Sequence, residues 1–544
     1  MTTPRPTLVV SGQVVVEARQ DGLQTAGAIG IAEGRVVAMG ELANVLAAAA
    51  PGARHLAFGE AAVVPGMWDF HLHLVGMARA RREVQLDDAA TADQLVGTVR
   101  EAADRLPAGE WLRGRGWREV VMATVEKRRL EAAVGQRPAL LYSHDGHSAW
   151  ASADALRRAG VEASSGDPGG GRMERDAAGR LTGVLRERAT DLVEPVAGRL
   201  RGVPLDEALA ETLAELAGMG VTSVVDAGDS ATDGGSGPFA ALGDRASALL
   251  ASDVADGRCR VRVNLPADGI AAAAGLGLHS GAPLPSRRTM RVGWAKVYID
   301  GALGSQTAAV FSPYTCGPTG DTGIARLTRD ELDAIVVEAR EAGISLAVHA
   351  IGDRGAARVL DALERAPVAR PGLPPDRMEH LQLMRPPDAA RLAGLGVTAS
   401  LQPIHCASDR ELAEACWADR LADTYPWRTL ADASVRLAFG SDAPIESPNP
   451  WLGIFAAVHR RFVGDGTPDW QPAHALSFEE ALHAYTLGAA QSAGDASAGS
   501  LHVGAAADLA VLNVDLGTLR AADERLGGVR SQLTLLAGGV VQSG

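Results

Sequence analysis

Hydrophobic positions near the two ends of the chain form short runs interrupted by polar residues and glycines. Such runs occur at residues 13–16, 28–32 and 35–39, and again at residues 508–512 and 532–536. Short alternating apolar segments separated by turn residues are typical of β-strands. We therefore predict a small β-sandwich built from both termini, with residues 1–64 as its N-terminal part and residues 496–544 as its C-terminal part.

The middle of the chain has a longer hydrophobic period. Four leucines share one face of a predicted helix, glycines end this helix, and a buried strand follows at residues 221–226; the leucines are Leu205, Leu209, Leu213 and Leu216. Helix and strand alternate again at residues 331–349, 387–402 and 430–439. Apolar strands that alternate with helices and end in polar residues predict an α/β fold, a distorted (β/α)₈ TIM barrel over residues 65–495.

Residues 80–200 fit this alternation poorly. They include an arginine-rich stretch around residues 78–82, a turn-like segment at 114–117 and consecutive glycines at 169–171. We interpret residues 80–200 as an insertion after the first barrel strand. Because barrel active sites lie at the carboxyl ends of the strands, we expect the insertion to cover the mouth of the site and set specificity.

Composition and charge narrow the functional classes. The chain has 47% hydrophobic and 22% charged residues, as in globular proteins, and its net charge of −14 argues against binding nucleic acid or anionic membranes. It contains no run of 18 apolar residues, and its N-terminus lacks the apolar core of a signal peptide. Four scattered cysteines are too few for a disulfide framework. We predict a cytoplasmic protein.

The sharpest chemical motif is the pair His71 and His73. Two histidines at positions i and i+2 of a strand point to the same side and lie roughly 7 Å apart, which allows both to bind one metal ion. The alternative is a pair of unrelated histidines near a turn. His349, His380 and Asp442 each close another predicted strand, so nitrogen and oxygen ligands converge at the strand ends.

Lys296 is the second unusual residue. The chain has 52 basic residues, but only Lys127 and Lys296 are lysines, and Lys296 lies in the apolar segment 292–299. Burial and nearby cations can make a lysine amine neutral, which they cannot do to a guanidinium group. A neutral amine can add CO₂ to form a carbamate that bridges two metal ions. The alternative is a lysine whose ammonium group reaches solvent.

Together these residues, in this order along the chain, resemble the amidohydrolase superfamily. Residues 300–308, 147–150, 183–187 and 508–512 extend the resemblance to the amidohydrolase family 3 branch, which contains N-substituted formamide deformylases. The resemblance implies that His71 and His73 hold one metal, that His349 and His380 hold a second, and that carbamylated Lys296 bridges them. It also implies that Asp442 ligates the first metal and exchanges protons with the nucleophilic water.

Two divalent cations in such a site would lower the pKa of a bridging water and polarise the scissile carbonyl. Zinc suits a set of imidazole and oxygen ligands, as do cobalt, manganese and iron. Four further residues are candidates for substrate contacts, with ordinary packing, a turn or a solvated loop as the alternative: Trp117, His147, Asp300 and His405.

The sequence thus predicts a metal-dependent hydrolase that cleaves a non-peptide C–N bond, the amide of a small N-substituted substrate. Alternatives are a deaminase or cyclic-amide hydrolase of the same superfamily, and a metal-free, non-catalytic scaffold. Lys296 argues against a mononuclear deaminase, which needs no bridging anion. The chain lacks the sequence motifs of serine hydrolases, P-loop NTPases, zincins and dinucleotide-binding proteins. A homodimer is the expected assembly.

Overall fold

The computed structural model describes residues 4–107, 109–197, 205–228, 242, 249, 252–285, 287–317 and 319–543. Residues 1–3, 198–200 and 544, which bound the predicted segments, lie outside the described residues. In chain order the strands are β1 (Leu8–Arg19), β2 (Gly22–Ala32), β3 (Arg35–Gly40), β4 (Arg54–Pro65), β5 (Met67–Leu72), β6 (Val84–Gln85), β7 (Leu112–Trp117), β8 (Ala139–Ser143), β9 (Ser148–Ala151), β10 (Gly171–Arg175), β11 (Leu181–Glu187), β12 (Val221–Asp226), β13 (Arg260–Pro266), β14 (Met290–Tyr298), β15 (Leu346–Ala350), β16 (Arg377–His380), β17 (Thr398–Leu401), β18 (Leu437–Phe439), β19 (Leu509–Asp515), β20 (Ser531–Leu536) and β21 (Gly539–Ser543).

The α-helices lie between these strands in the chain. Their ranges are Leu42–Ala48, Leu74–Ala80, Ala92–Arg105, Glu119–Met122, Lys127–Val134, Ala153–Arg158, Leu205–Gly218, Ile270–Gly275, Arg329–Ala342, Asp353–Arg365, Pro386–Gly394, Ile404–Ser408, Arg410–Cys416, Trp427–Asp432, Pro450–His459, Phe478–Tyr485, Leu487–Ser492 and Leu516–Ala521.

Both ends of the chain join in one seven-stranded sheet, in the order β21-β20-β19-β4-β1-β2-β3. Strand β19 runs antiparallel to β4, with Val511 beside Val63, and β4 runs parallel to β1. Apolar side chains of both ends, among them Val10, Ile29 and Leu509, bury one another on this sheet. The strand-like patterns at the two termini therefore belong to a single β unit.

Gly66 connects this sheet to the barrel. Strand β4 ends at Pro65 and β5 begins at Met67, and the Gly66 amide donates to the Asp508 carbonyl oxygen at 2.8 Å. A Cβ on Gly66 would lie 2.2 Å from Oγ1 of Thr222. The position tolerates no side chain, so the backbone passes from the terminal sheet into the first barrel strand through a packed junction.

Eight parallel strands form the barrel, in the order β18-β17-β16-β15-β14-β13-β12-β5. Hydrogen bonds beyond the end of β18 bring it against β5: the Asp442 amide donates to the His71 carbonyl at 2.7 Å, and the His73 amide donates to the Ala443 carbonyl at 2.8 Å. The sequence prediction of a distorted (β/α)₈ barrel is confirmed.

The helix Arg329–Ala342 illustrates how the sequence sets the barrel elements. Thr328 and Glu331 form a capping box at its start, and Gly343 adopts a left-handed conformation (φ 68°) at its end. Strand β15 begins three residues later. The helix and the strand predicted within residues 331–349 are therefore present, with the helix as Arg329–Ala342 and the strand as Leu346–Ala350.

Large side chains fill the barrel interior. Trp68, Phe70 and Trp294 belong to one buried cluster, and the fully buried guanidinium of Arg377 lies 4.7 Å from the Phe70 ring centroid and 4.5 Å from that of Trp294. An Nη1 atom of Arg377 donates to the Phe70 carbonyl at 2.7 Å. Because the interior is packed, chemistry is confined to the strand ends.

A six-stranded sheet, in the order β10-β11-β9-β8-β7-β6, lies within the predicted insertion. Helices Ala92–Arg105 and Lys127–Val134 pack on it through Leu95, Val99 and Leu130. The insertion therefore has a hydrophobic core of its own.

The structure contains a disulfide between Cys316 and Cys416, whereas Cys259 and Cys406 are buried and free. The sequence predicted no disulfide framework, and this single pair was not anticipated. The two residues are 100 positions apart in sequence, and only the fold brings the loop after β14 to the helix Arg410–Cys416. Among the described residues, no helix combines the length and apolarity needed to cross a membrane.

Candidate metal centre

His71 and His73 converge on one carboxylate. His71 lies on β5 and is 1% exposed, and its Nε2 is 3.4 Å from Oδ1 of Asp442. His73 follows the strand, and its Nε2 is 3.3 Å from the same oxygen. The i, i+2 spacing therefore places both imidazoles on the side of the strand that faces Asp442.

The backbone after β18 fixes the position of Asp442. Asp442 has a left-handed conformation (φ 62°), and its amide hydrogen bond to His71 holds the turn against β5. A Cβ on Gly440 would lie 2.3 Å from the backbone nitrogen of His71, so only glycine lets the two backbones come this close. Although burial raises it, the charge of His71 and contacts with His405, His71 and His73 hold the pKa of Asp442 well below its usual range.

His349 and His380 end two neighbouring strands, β15 and β16, and their ring centroids are 4.6 Å apart. Burial lowers the pKa of His349 and of His380 well below the usual value. Nearby positive groups, including Lys296, act in the same direction. Both rings are therefore neutral at physiological pH, which is the form of histidine that binds metals.

The structure brings two groups of three possible ligands together, and they share Asp442. One consists of His71, His73 and Asp442, and the other of His380, His405 and Asp442; within each, one ligand atom per residue lies within 4.8 Å of the others. His405 was a candidate for substrate contact, and its Nε2 is 3.3 Å from Oδ2 of Asp442. His349 lies beside the second group, with its Nε2 3.1 Å from the Gly301 carbonyl oxygen.

Lys296 lies on β14 and is 1% exposed. Its Nζ atom is 5.0 Å from the centroid of the Tyr298 ring, and its charge acts on His349, His380 and Glu379. The structure thus places the amine inside the barrel beside the predicted ligands of the second metal.

Glu379 is a residue of the site that the sequence analysis missed. Its side chain is fully buried, its Oε2 is 2.6 Å from Nδ1 of His71, and its Oε1 is 2.7 Å from Nε of Arg377. Although burial raises it, Arg377 and His71 lower the pKa of Glu379, so it is a carboxylate. A carboxylate on Nδ1 orients the His71 ring and leaves Nε2 for a metal.

Asp69, also missed, braces the same strand. Its Oδ1 accepts hydrogen bonds from the amides of His71 (3.2 Å) and Ser441 (3.0 Å), and its Oδ2 accepts from the Ser441 hydroxyl at 2.5 Å. Burial raises the pKa of Asp69 to about 7. Acidic residues in otherwise apolar strands, as at positions 69 and 379, are the signal that could have identified both.

A pocket opens over the ligands. His147, from the turn between β8 and β9 of the insertion, lines it, and its ring centroid is 4.9 Å from that of His349. Nδ1 of His147 is 3.1 Å from Oε2 of Glu187, which is fully buried. The residues lining the pocket are His144, Asp145, His147, Ala302, Leu303, Gly304, His349, Ile351, His380, Gln382, His405, Ser408, Asp409, Asp442, Ile445 and Glu446.

Trp117 and Asp300 do not line this pocket. Trp117 is fully buried in the insertion core, where its Nε1 donates to the Leu141 carbonyl at 2.7 Å. Asp300 is fully buried and accepts hydrogen bonds from the amides of Ala309 (2.9 Å), Ile351 (3.0 Å) and Gly352 (2.8 Å). Trp117 thus packs within the insertion, and Asp300 holds the backbone of the loop after β15. The structure does not support substrate contact by either residue.

The donor set fits a divalent metal ion. It consists of imidazole nitrogens and a carboxylate, which are the ligands that zinc prefers. Nδ1 of His380 is buried and has no hydrogen-bond partner. Buried nitrogens without partners are rare in folded proteins, and a coordinated metal ion is one way to satisfy them.

Comparison with known proteins matches residues 59–542 to the model of an amidohydrolase family. A Bacillus subtilis (strain 168) protein named Putative amidohydrolase YtcJ is 30% identical over 86% of both chains. The N-substituted formamide deformylase of Arthrobacter pascens is 27% identical over 95% of this chain and 94% of its own. An uncharacterized metal-dependent hydrolase from Pyrococcus furiosus has the same fold, with a TM-score of 0.69 and 25% identity over 93% of this chain and 99% of its own.

Proposed function

The chain belongs to the amidohydrolase family, and on this premise we propose that it is a metal-dependent hydrolase of the amide C–N bond of small N-substituted substrates. The observation that carries the proposal is the convergence of His71, His73 and Asp442, with one ligand atom of each within 4.8 Å of the others. The ring centroid of His380 lies 5.0 Å from that of His71, and that of His349 lies 4.6 Å from that of His380. The likeness to an N-substituted formamide deformylase over nearly the whole chain supports the amide as the bond that is cleaved.

His71, His73 and Asp442 would hold one metal ion, and His349 and His380 would hold a second. We propose zinc for both sites. When bound, such divalent cations lower the pKa of a water molecule and polarise a carbonyl group. Lys296 would contribute the bridging ligand as a carbamate, in which its amine nitrogen forms a bond to CO₂ and releases one proton. The burial of Lys296 next to His349 and His380 supports this role.

Asp442 moves the proton in this proposal. It is an anion whose two oxygens lie 3.3 to 3.4 Å from the imidazoles of His71, His73 and His405. A carboxylate in this position accepts a proton from the attacking water and returns it to the leaving amine nitrogen. Glu379 keeps His71 oriented, and the insertion closes the pocket with His147.

Substitution of Lys296 tests the proposal directly. We expect Lys296→Ala to lose the second metal and activity towards formamides, with partial rescue by short carboxylic acids that replace the carbamate oxygens. Metal content by mass spectrometry and amine release by chromatography measure the two effects. Lys127→Ala is the control: Lys127 begins the helix Lys127–Val134 of the insertion, is half-buried, donates to the Met122 carbonyl and does not line the pocket.

Lys296→Arg distinguishes the carbamate from a purely structural cation, because a guanidinium group cannot add CO₂. Full activity of Lys296→Arg would rule out the carbamate. Fewer than one metal ion per chain in the metal-replete native protein would instead favour a non-catalytic scaffold.

A further inference from the structure

Acidic side chains form the pocket wall beyond the proposed metal ligands. Asp145, Asp409 and Glu446 line this wall together with Gln382. Among the described residues that line the pocket, none is Arg or Lys, although 52 of the 544 residues in the chain are basic. A site that receives a carboxylate or phosphate usually presents arginine or lysine to it.

His144 offsets only part of this negative charge. Its Nδ1 is 2.8 Å from Oδ1 of Asp87, and its Nε2 is 3.6 Å from Oε1 of Glu446. Although burial lowers it, these two carboxylates raise the pKa of His144 to about 10, so one cation is shared between two anions. Burial raises the pKa of Asp409, whereas the contact with His144 outweighs burial and lowers the pKa of Glu446, which makes Glu446 the anionic group of the wall.

Oε1 of Gln382 in this wall has no hydrogen-bond partner, and Oε1 of Glu446 is ion-paired with Nε2 of His144 at 3.6 Å, longer than a hydrogen bond. The Glu446 side chain is 10% exposed and Gln382 is 4% exposed. Nε2 of Gln382 is 3.3 Å from Oδ2 of Asp409, an acceptor, which assigns the amide nitrogen to that contact and leaves the oxygen as an unused acceptor. Buried acceptors of this kind require a donor.

We propose that the pocket binds substrates whose end remote from the scissile amide carries a cationic nitrogen group, such as a protonated amine. Glu446 supplies the charge for this group, and Gln382 supplies a second acceptor. We expect substrates with a carboxylate at that end to be disfavoured by repulsion from the same wall. The inference rests on the proposed function, because it takes the amide bond to lie at the metal ligands.

Three formamides of benzylamine that differ only in the para substituent test this proposal. The substituents are aminomethyl, which is cationic, methyl, which is neutral, and carboxylate. We expect kcat/KM of the metal-replete protein to fall in that order, with on the order of tenfold between cationic and neutral substrates, the size expected for a hydrogen bond to a charged group. Equal values, or a preference for the carboxylate, would overturn the proposal.

Glu446→Gln keeps the shape of the side chain and removes its charge. We expect this variant to lose most of the preference for the cationic over the neutral formamide. Glu338→Gln removes an exposed carboxylate from the helix Arg329–Ala342, and we expect it to retain the preference. If Glu446→Gln keeps the full preference, Glu446 is not the recognition group and the proposal fails.

Binding separates this inference from the proposed function. If none of the three formamides is hydrolysed, the proposed function fails, and calorimetric affinities of the same compounds decide the inference. Tighter binding of the cationic compound, lost in Glu446→Gln, would support it. Equal or weaker binding of the cationic compound would contradict it.

Discussion

The two sides of the candidate metal centre are supported in different ways. On the side of β5, His71 has the Glu379 carboxylate on its Nδ1, and Asp69 ties β5 to the turn that carries Asp442. On the side of β15 and β16, Nε2 of His349 lies 3.1 Å from a backbone carbonyl, and Nδ1 of His380 has no hydrogen-bond partner. Charged side chains thus brace one half, and backbone and packing hold the other.

This difference predicts different metal affinities for the β5 side and for the β15 and β16 side. A histidine with a carboxylate on its second nitrogen is oriented and made more basic before the metal arrives. Neutral, buried histidines without such a carboxylate rely on their neighbours for position. We therefore expect the β5 side to bind metal more tightly, and the β15 and β16 side to depend more on Lys296.

Replacement of Asp442 should have the largest effect, because this residue is common to both sides. Asp442→Asn keeps the size of the side chain but removes its charge and its capacity to accept a proton. We expect kcat/KM for a formamide to fall about a thousandfold. Steady-state kinetics at saturating metal measure the loss, and a fall of less than about tenfold would show that Asp442 does not transfer the proton.

Glu379→Gln breaks the support of the β5 side alone. The amide preserves shape but gives His71 no charged partner, so we expect metal affinity at the tighter site to fall roughly tenfold to a hundredfold. Competition with a chromogenic chelator measures the change. Glu338→Gln is the control, and unchanged affinity in Glu379→Gln would remove the basis for the comparison between the two sides.

The pH dependence of stability probes the other side. Because the pKa of His349 and of His380 is lowered in the folded protein, only the unfolded chain takes up these protons below pH about 6.5. In the metal-free protein, the contribution of these two histidines to the free energy of unfolding therefore falls by roughly 2 kcal/mol when the pH is lowered from 7 to 5.5.

Asp69 and Asp300 have the opposite effect on the pH dependence of stability, because burial raises the pKa of each to about 7 and the folded protein then takes up their protons first. To isolate the two histidines, we compare the native protein with the double variant His349→Asn and His380→Asn. The free energy of unfolding of each is measured by urea denaturation at pH 7 and at pH 5.5. A difference that does not change with pH would contradict the neutral state of the two rings.

Asp300→Asn should have the smallest effect. Oδ1 of Asp300 is 3.7 Å from Nε2 of His349, beyond a hydrogen bond, and its oxygens mainly bind three backbone amides. We expect a loss of about 1 kcal/mol in the free energy of unfolding, and less effect on metal affinity than Glu379→Gln has. A larger loss of metal affinity than in Glu379→Gln would reverse the comparison.

The sequence predicted the barrel because helix and strand periods alternate, and each boundary has local causes, such as the capping box at Thr328 and Gly343. It also predicted which residues end the strands. Parallel strands have their carboxyl ends on one side, so His71, His349, His380 and Asp442 had to lie close together once the barrel was inferred.

The sequence could not predict contacts that depend on how the barrel closes. Glu379 and His71 lie on β16 and β5, which are not neighbours in the sheet, and their contact crosses the interior. The disulfide and the approach of His405 to Asp442 are likewise set by loops in three dimensions. Trp117 was a candidate for substrate contact, but its burial in the insertion core comes from packing against strands later in the chain.

The junction at Gly66 also bears on how the protein is made. Strand β4 leads directly into the strand that carries His71, yet its neighbour β19 comes from residues near the end of the chain. During translation, β4 therefore lacks one of its two partners until residues 509–515 have left the ribosome. The first metal-binding strand is synthesised early, but its anchorage is completed only when almost the whole chain has emerged.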